Sequence, residues 1–155
     1  MPSLVLFLCA REKNGDEMES YRLLEHTADM GIEVHADTLE ELFAGAACAL
    51  KEMIWGEAGG RAIEERTVSL RGGDYGELLV SWLSEILYRF EVEGLFPVDF
   101  ELEEIKGTSL RGRIRGEPFD PLRHPVEREV KAVTYHRLRV EPSDGRWLAR
   151  LYVDL

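Results

Sequence analysis

Thr38 and Asp74 each stand three residues ahead of a glutamate, Glu41 and Glu77, and each opens a run of apolar residues at helical spacing. A short polar side chain in that place accepts a hydrogen bond from the backbone N–H three residues on, and the glutamate can reach back toward the cap. Behind the first cap, Leu39, Leu42, Phe43, Ala46, Leu50, Met53 and Ile54 form one stripe, which "GEAGG" ends. Behind the second, Leu79, Trp82, Leu83, Ile86 and Phe90 repeat the pattern, and Gly94 sits where a C′ glycine belongs. Two helices are thus announced.

The remaining segments have the period of two that belongs to strands. Residues 21–25 and 31–36 read as a strand, or as a strand interrupted by the polar stretch between them, with Ile32 and Val34 on one face. Residues 62–70, 95–105, 109–115, 130–140 and 147–155 complete the set. "RGGD", "KGT" and "EPSDGR" mark turns, and "GEPFDPLRHPVERE" is a Pro-rich, charged loop. The expected fold class is α+β, with two amphipathic helices packed on one face of a mainly antiparallel sheet.

Residues 1–17 stand apart. Their apolar part, "SLVLFLCA", is too short to span a bilayer and lacks the basic start of a signal peptide. Met18 offers an alternative start. The expected organisation is a dispensable N-terminal extension, 1–17, ahead of a single domain, 18–155. The alternative makes the extension an extra strand or a partner-binding arm.

A chain of 155 residues is long enough for one good core. Its net charge of −11 repels phosphate backbones, which argues against direct nucleic-acid binding and favours metal cations or a basic protein partner. Cys9 and Cys48 have neither metal-ligand spacing nor the density of a secreted disulfide framework. They point to a reducing cytoplasm, with Cys48 a plain core residue. There is no Gln and a single Asn, Asn14, against abundant Arg, Glu and Asp, the composition of a heat-adapted protein.

The last segment, "RWLARLYVDL", alternates to its final residue. Trp147, Ala149, Leu151, Val153 and Leu155 fall on one face, and Leu148, Arg150, Tyr152 and Asp154 on the other. Asp154 therefore stands beside the α-carboxylate of Leu155. Two negative charges held together call for a cation, and oxygen-only donors point to Ca²⁺ or Mg²⁺ rather than zinc. Asp29, in "EHTADMGIEV", supplies a third carboxylate if its strand pairs with the last one. The competing reading has Asp29 accepting hydrogen bonds in its own turn and Asp154 paired with an arginine.

A zinc hydrolase needs three ligands and a general base, yet no H-E-x-x-H or C-x-x-C occurs. His136 reads as a hydrogen-bonded sheet residue, and His26 as a residue that orients the "EHTAD" turn behind the metal ligands. No phosphate-binding glycine motif and no nucleophile elbow is present. Lys131 is one of only four lysines beside fifteen arginines. It is either a solvated strand end or a cation aimed at a partner.

Taken together, "EHTADMGIEV", "LLVSWLSEILYRFEVEG", "EVKAVTYHRLRV" and the terminal "WLARLYVDL" resemble the archease family, from Tyr21 to Leu155. The resemblance implies a small α+β protein that is not an enzyme. It implies a cytoplasmic activator of the GTP-dependent tRNA-splicing ligase, one that promotes ligase guanylylation and repeated turnover. It further implies a Ca²⁺-type site formed by Asp29, Asp154 and Leu155, and a ligase-activating role for Lys131. The runner-up is a chaperone-like modulator of a tRNA methyltransferase or another RNA-modifying enzyme, and a metal-dependent hydrolase is a third reading.

Overall fold

A computed structural model describes residues 4–9, 21–25 and 29–155. The elements run in chain order β1 (Leu4–Leu8), β2 (Tyr21–Glu25), β3 (Asp29–Ala36), α1 (Leu39–Trp55), β4 (Glu64–Arg71) and α2 (Tyr75–Glu91). Then come β5 (Leu95–Glu103), β6 (Ser109–Pro118), β7 (Ala132–Val133), β8 (Arg139–Ser143) and β9 (Arg146–Asp154). Both helix caps form. The Thr38 hydroxyl accepts from the Glu41 N–H at 3.1 Å, and the Asp74 carboxylate accepts from the Glu77 N–H at 2.8 Å. The Glu77 carboxylate reaches back one residue further than expected and accepts from the Gly73 N–H at 3.1 Å.

The expected single sheet is two. One has the strand order β1-β5-β6-β4; the other runs β2-β3-β9-β7, with β8 also paired to β9. Every pairing among these strands is antiparallel. Helix α1 packs against β3 of one sheet and β5 of the other. It is consequently buried on all sides, with every residue from Leu42 to Lys51 in the interior. A helix can lie between two layers only if its surface is small in places. Here Ala44, Gly45, Ala46, Ala47 and Ala49 provide that, and a Cβ on Gly45 would meet Val34 Cγ1 at 2.9 Å. Helix α2 is amphipathic. It buries Leu79, Trp82, Leu83 and Ile86, and the Trp82 indole N–H donates to the Phe43 carbonyl of α1 at 3.1 Å.

The sheet faces turned away from the helices carry ion-pair ladders. Glu101 binds Arg113 and Arg115, which also hold Glu65 on the next strand. On the other sheet Glu33 gathers Arg22, His35 and Arg150. Such networks accord with the heat-adapted composition.

Two further expectations are corrected. Residues 130–140 are not one strand but β7 and β8, separated by 134–138, where Arg137 adopts a left-handed φ of 53°. His136 is therefore an exposed loop residue rather than part of a sheet. The two cysteines are joined, Cys9 to Cys48, across 39 residues of sequence. Cys48 is buried as expected, but it tethers the end of β1 to α1. Part of the N-terminal extension is thus an added edge strand, Leu4–Leu8, paired with β5. Intracellular disulfides are an established feature of hyperthermophile proteins, so the bond accords with the heat-adapted composition. Among the described residues, no helix is long and apolar enough to cross a membrane.

Candidate functional site

Asp29 opens β3 and Asp154 ends β9, and the ladder between these strands sets the two residues directly opposite each other. On the other side of β9, Ala132 pairs with Asp154, and the Lys131 N–H donates to the Asp154 carbonyl at 2.8 Å. Register alone thus brings Asp29, Asp154, Leu155 and the Lys131 backbone to one end of this sheet. Opposite residues in an antiparallel pair share a face. Met30, Ile32 and Val34 are buried toward the core, so Asp29 lies on the opposite, outward face, as does Asp154. Asp29 is half-buried, whereas Asp154, Leu155 and Lys131 are exposed.

Among the described residues, neither carboxylate has a side-chain partner of opposite charge. The competing reading paired Asp154 with an arginine. Arg150, the nearest arginine along β9, is instead committed to Glu33 through Nη2 at 2.6 Å and Nε at 3.2 Å. Burial alone would raise the pKa of Glu33, but hydrogen bonds from Arg150, His35 and Arg22 outweigh it and hold the carboxyl at about 2. The arginine-rich middle of the face is self-satisfied, and its acidic end is not.

The floor behind the acidic end is closely packed. A Cβ on Gly31 would lie 2.9 Å from the ring of Tyr152, its ladder partner, and 3.0 Å from Leu24 Cβ. The Thr134 N–H and hydroxyl both donate to the Tyr152 carbonyl at 3.0 Å, and the Thr134 hydroxyl accepts from the His136 N–H at 3.3 Å. The sequence reading passed over Gly31, Thr134 and Tyr152 as parts of this floor. The lone glycine inside a strand was the available signal, since it marks a place where another group approaches closely.

Among the described residues, no three His, Cys, Asp or Glu side chains converge as a metal cluster. The acidic side chains at this end are Asp29 and Asp154, with Leu155 beside them. Their donors are all oxygen, which suits a hard cation. The disulfide removes both thiolates from consideration as zinc ligands. His26, expected behind the ligands, lies outside the described residues.

The sequence profile of the Archease protein family (MTH1598/TM1083) matches residues 21–155. The chain is 49% identical over 135 residues to "Protein archease" of Methanopyrus kandleri, covering 85% of this chain and 96% of that one. It is 42% identical over 145 residues to "Protein archease" of Pyrococcus furiosus, covering 89% and 100%. The solution structure of Methanobacterium thermoautotrophicum protein 1598 superposes with a TM-score of 0.76 at 33% identity, covering 89% of this chain and all of that one. The profile leaves β1 and Cys9 outside its span. With the profile running from the first residue of β2 to the last residue of the chain, this protein belongs to the archease family.

Proposed function

We propose that this protein is a non-enzymatic, metal-binding activator of the GTP-dependent tRNA-splicing RNA ligase, acting in the cytoplasm to promote ligase guanylylation and multiple turnover. The observation that carries the reading is the juxtaposition of Asp29 and Asp154, two outward carboxylates without cationic partners among the described residues, beside the exposed Lys131.

Asp29, Asp154 and the Leu155 carboxylate are the residues that would hold Ca²⁺, or Mg²⁺ in its place. When bound, the ion supplies a fixed positive charge at the end of the sheet. The protein's own residues do the rest. The β3–β9 ladder sets the two aspartates opposite each other, and Gly31, with no Cβ, leaves room for the Tyr152 ring beside them. The hydrogen bond from the Lys131 N–H to the Asp154 carbonyl places the lysine beside them. A partner's phosphate or carboxylate groups meet a lysine ammonium and a neutralised acidic end at one place. Help of this kind shifts the population of ligase conformers competent for charging and requires no chemistry on the activator.

The test is GMP transfer from labelled GTP to the cognate ligase after one round of ligation. Restored charging at sub-stoichiometric amounts supports the reading. Unchanged charging with a folded activator and an active ligase overturns it, and protection of a tRNA methyltransferase from aggregation becomes the next measurement.

A further inference from the structure

Between β6 and β7 the chain crosses from one sheet to the other through residues 119–131, which hold almost no regular structure. Despite this, the segment is tied down at several points. The Phe119 N–H donates to the Gly94 carbonyl at 2.7 Å. The Glu127 N–H donates to the Ile54 carbonyl of α1 at 2.7 Å, joined there by the Arg128 N–H at 3.3 Å. Lys131 closes the run on Asp154. In the middle stands His124, fully buried in a loop rich in charged residues.

The bonds around His124 fix its form. The Asp120 N–H, which can only donate, points at Nδ1 at 3.0 Å, so Nδ1 is the acceptor. The proton of the neutral ring then sits on Nε2, which donates to the Glu117 carboxylate at 2.8 Å. The same carboxylate oxygen accepts from Arg123 at 2.8 Å, and Glu117 is itself buried at the end of β6. The imidazole stacks on Phe96 with ring centres 3.8 Å apart. Phe96 in turn meets Trp55 of α1, which meets Phe90 of α2, which meets Phe119 at the start of the loop. His124 is the polar cap of an aromatic cluster drawn from both helices, β5 and the loop.

We infer that His124 is a positioning residue for Lys131: its buried bond to Glu117 anchors the crossing loop to one sheet so that the loop delivers Lys131 onto the Asp154 end of the other. The inference rests on the reading of Lys131 as the partner-activating residue. A loop of this length without internal ladders depends on specific anchors for its conformation. The Phe119, Glu127 and Lys131 anchors are backbone bonds to carbonyls, which any residue could make, and the side chains of Arg123 and Arg128 add bonds to Glu117 and to the Met53 carbonyl from partly exposed positions. The His124–Glu117 bond is the one of these side-chain anchors whose donor and acceptor are both buried, with a single tautomer and a charged acceptor.

The experiment compares the full-length protein with H124A, H124Q and K131A, reading amide hydrogen exchange and stimulation of ligase charging. H124Q keeps an acceptor for Asp120 and a donor for Glu117. In H124A the Glu127 and Lys131 amides are expected to exchange at least about tenfold faster while the β3 amide of Ile32 keeps its rate, the signature of local opening. Charging stimulation is expected to fall toward the K131A level, and H124Q is expected to restore both. An unchanged Lys131 amide in H124A overturns the inference. So does undiminished stimulation, and so does equal acceleration of the Ile32 and Lys131 amides, which would show a purely global role. Should H124A fail to fold, E117Q retains the volume and an acceptor while removing the charge, and the same local acceleration is expected at smaller size. If the unmodified protein does not stimulate the ligase, the functional reading fails by itself. The exchange rates then still decide whether the latch positions Lys131.

Discussion

Asp29 and Asp154 are ladder partners, the first residue of β3 set against the last of β9, so the two carboxylates leave the same face of the same end of the sheet. Bringing two like charges together without a counter-charge costs stability until a cation binds. Calcium is therefore expected to raise the melting temperature of this protein. The stabilisation is about 2.7 kcal/mol when the ion is present at about 100 times its dissociation constant. D29N and D154N are expected to melt at or slightly above the metal-free temperature of the unmodified protein and to lose the calcium-dependent rise. Differential scanning calorimetry with calcium and with chelator checks this, and a full calcium response in either variant contradicts the assignment.

Lys131 is exposed and its side chain has no partner among the described residues, so truncating it removes nothing that holds the fold. K131A is expected to melt within about 0.5 kcal/mol of the unmodified protein. Its calcium affinity is expected to be unchanged and its stimulation of ligase charging lost. Stimulation that survives the substitution would remove Lys131 from the activating role.

Glu33 makes stability depend on pH in a definite direction. Its carboxyl titrates near 4.5 when unfolded and at about 2 in the folded protein, where Arg150, His35 and Arg22 bond it against the opposing effect of burial. A depressed pKa gives stability that is complete above the unfolded value and is lost as the pH falls toward the folded one. The urea midpoint is therefore expected to decline from about pH 4.5 down to about pH 2. The Glu33 share is on the order of 2 kcal/mol, once solvent screening of the partly exposed arginines is allowed for. E33Q is expected to be less stable at neutral pH and to flatten that part of the profile. An identical profile in E33Q would mean that other carboxylates carry the acid sensitivity.

The disulfide cross-links residues 39 apart and fastens β1 to α1. Its loss in C9S is expected to cost about 2–4 kcal/mol, mainly through the freer unfolded chain. Reductant is expected to produce the same loss in the unmodified protein and none in C9S. Mass spectrometry of the protein purified without reductant should find it lighter by two hydrogens than after reduction. A chain of full reduced mass would remove the bond from the native state.

Much of this was legible in the sequence, and the failures share a cause. The two caps were read correctly because capping is local, decided by four residues. The β3–β9 end was anticipated because alternation runs through Asp154 and places its side chain opposite the core. The second sheet was not seen. Periodicity counts large apolar residues, and α1 carries Ala44, Gly45, Ala46, Ala47 and Ala49 between the layers, with Gly45 against Val34 of β3, small residues that register weakly in such a count. The break at 134–138 was missed because alternation of polarity continues through residues whose backbone has turned, with Arg137 left-handed. The disulfide escaped because its cysteines are far apart in sequence and one was assigned to a dispensable extension. His124 went unread for the opposite reason. It lies in a segment whose composition describes a surface loop, and only the fold reveals that its imidazole is interior.

One consequence of the buried α1 concerns motion. Glu117 belongs to one sheet and Asp154 to the other, and the last turn of α1 holds the crossing loop midway between them through the Ile54 carbonyl. A change in the gap between the sheets must pull on that loop from both ends. The spacing of Lys131 from the acidic pair is therefore a gauge of how tightly the two layers are closed on their helix. Loosening of the core is expected to reach the acidic end through this loop.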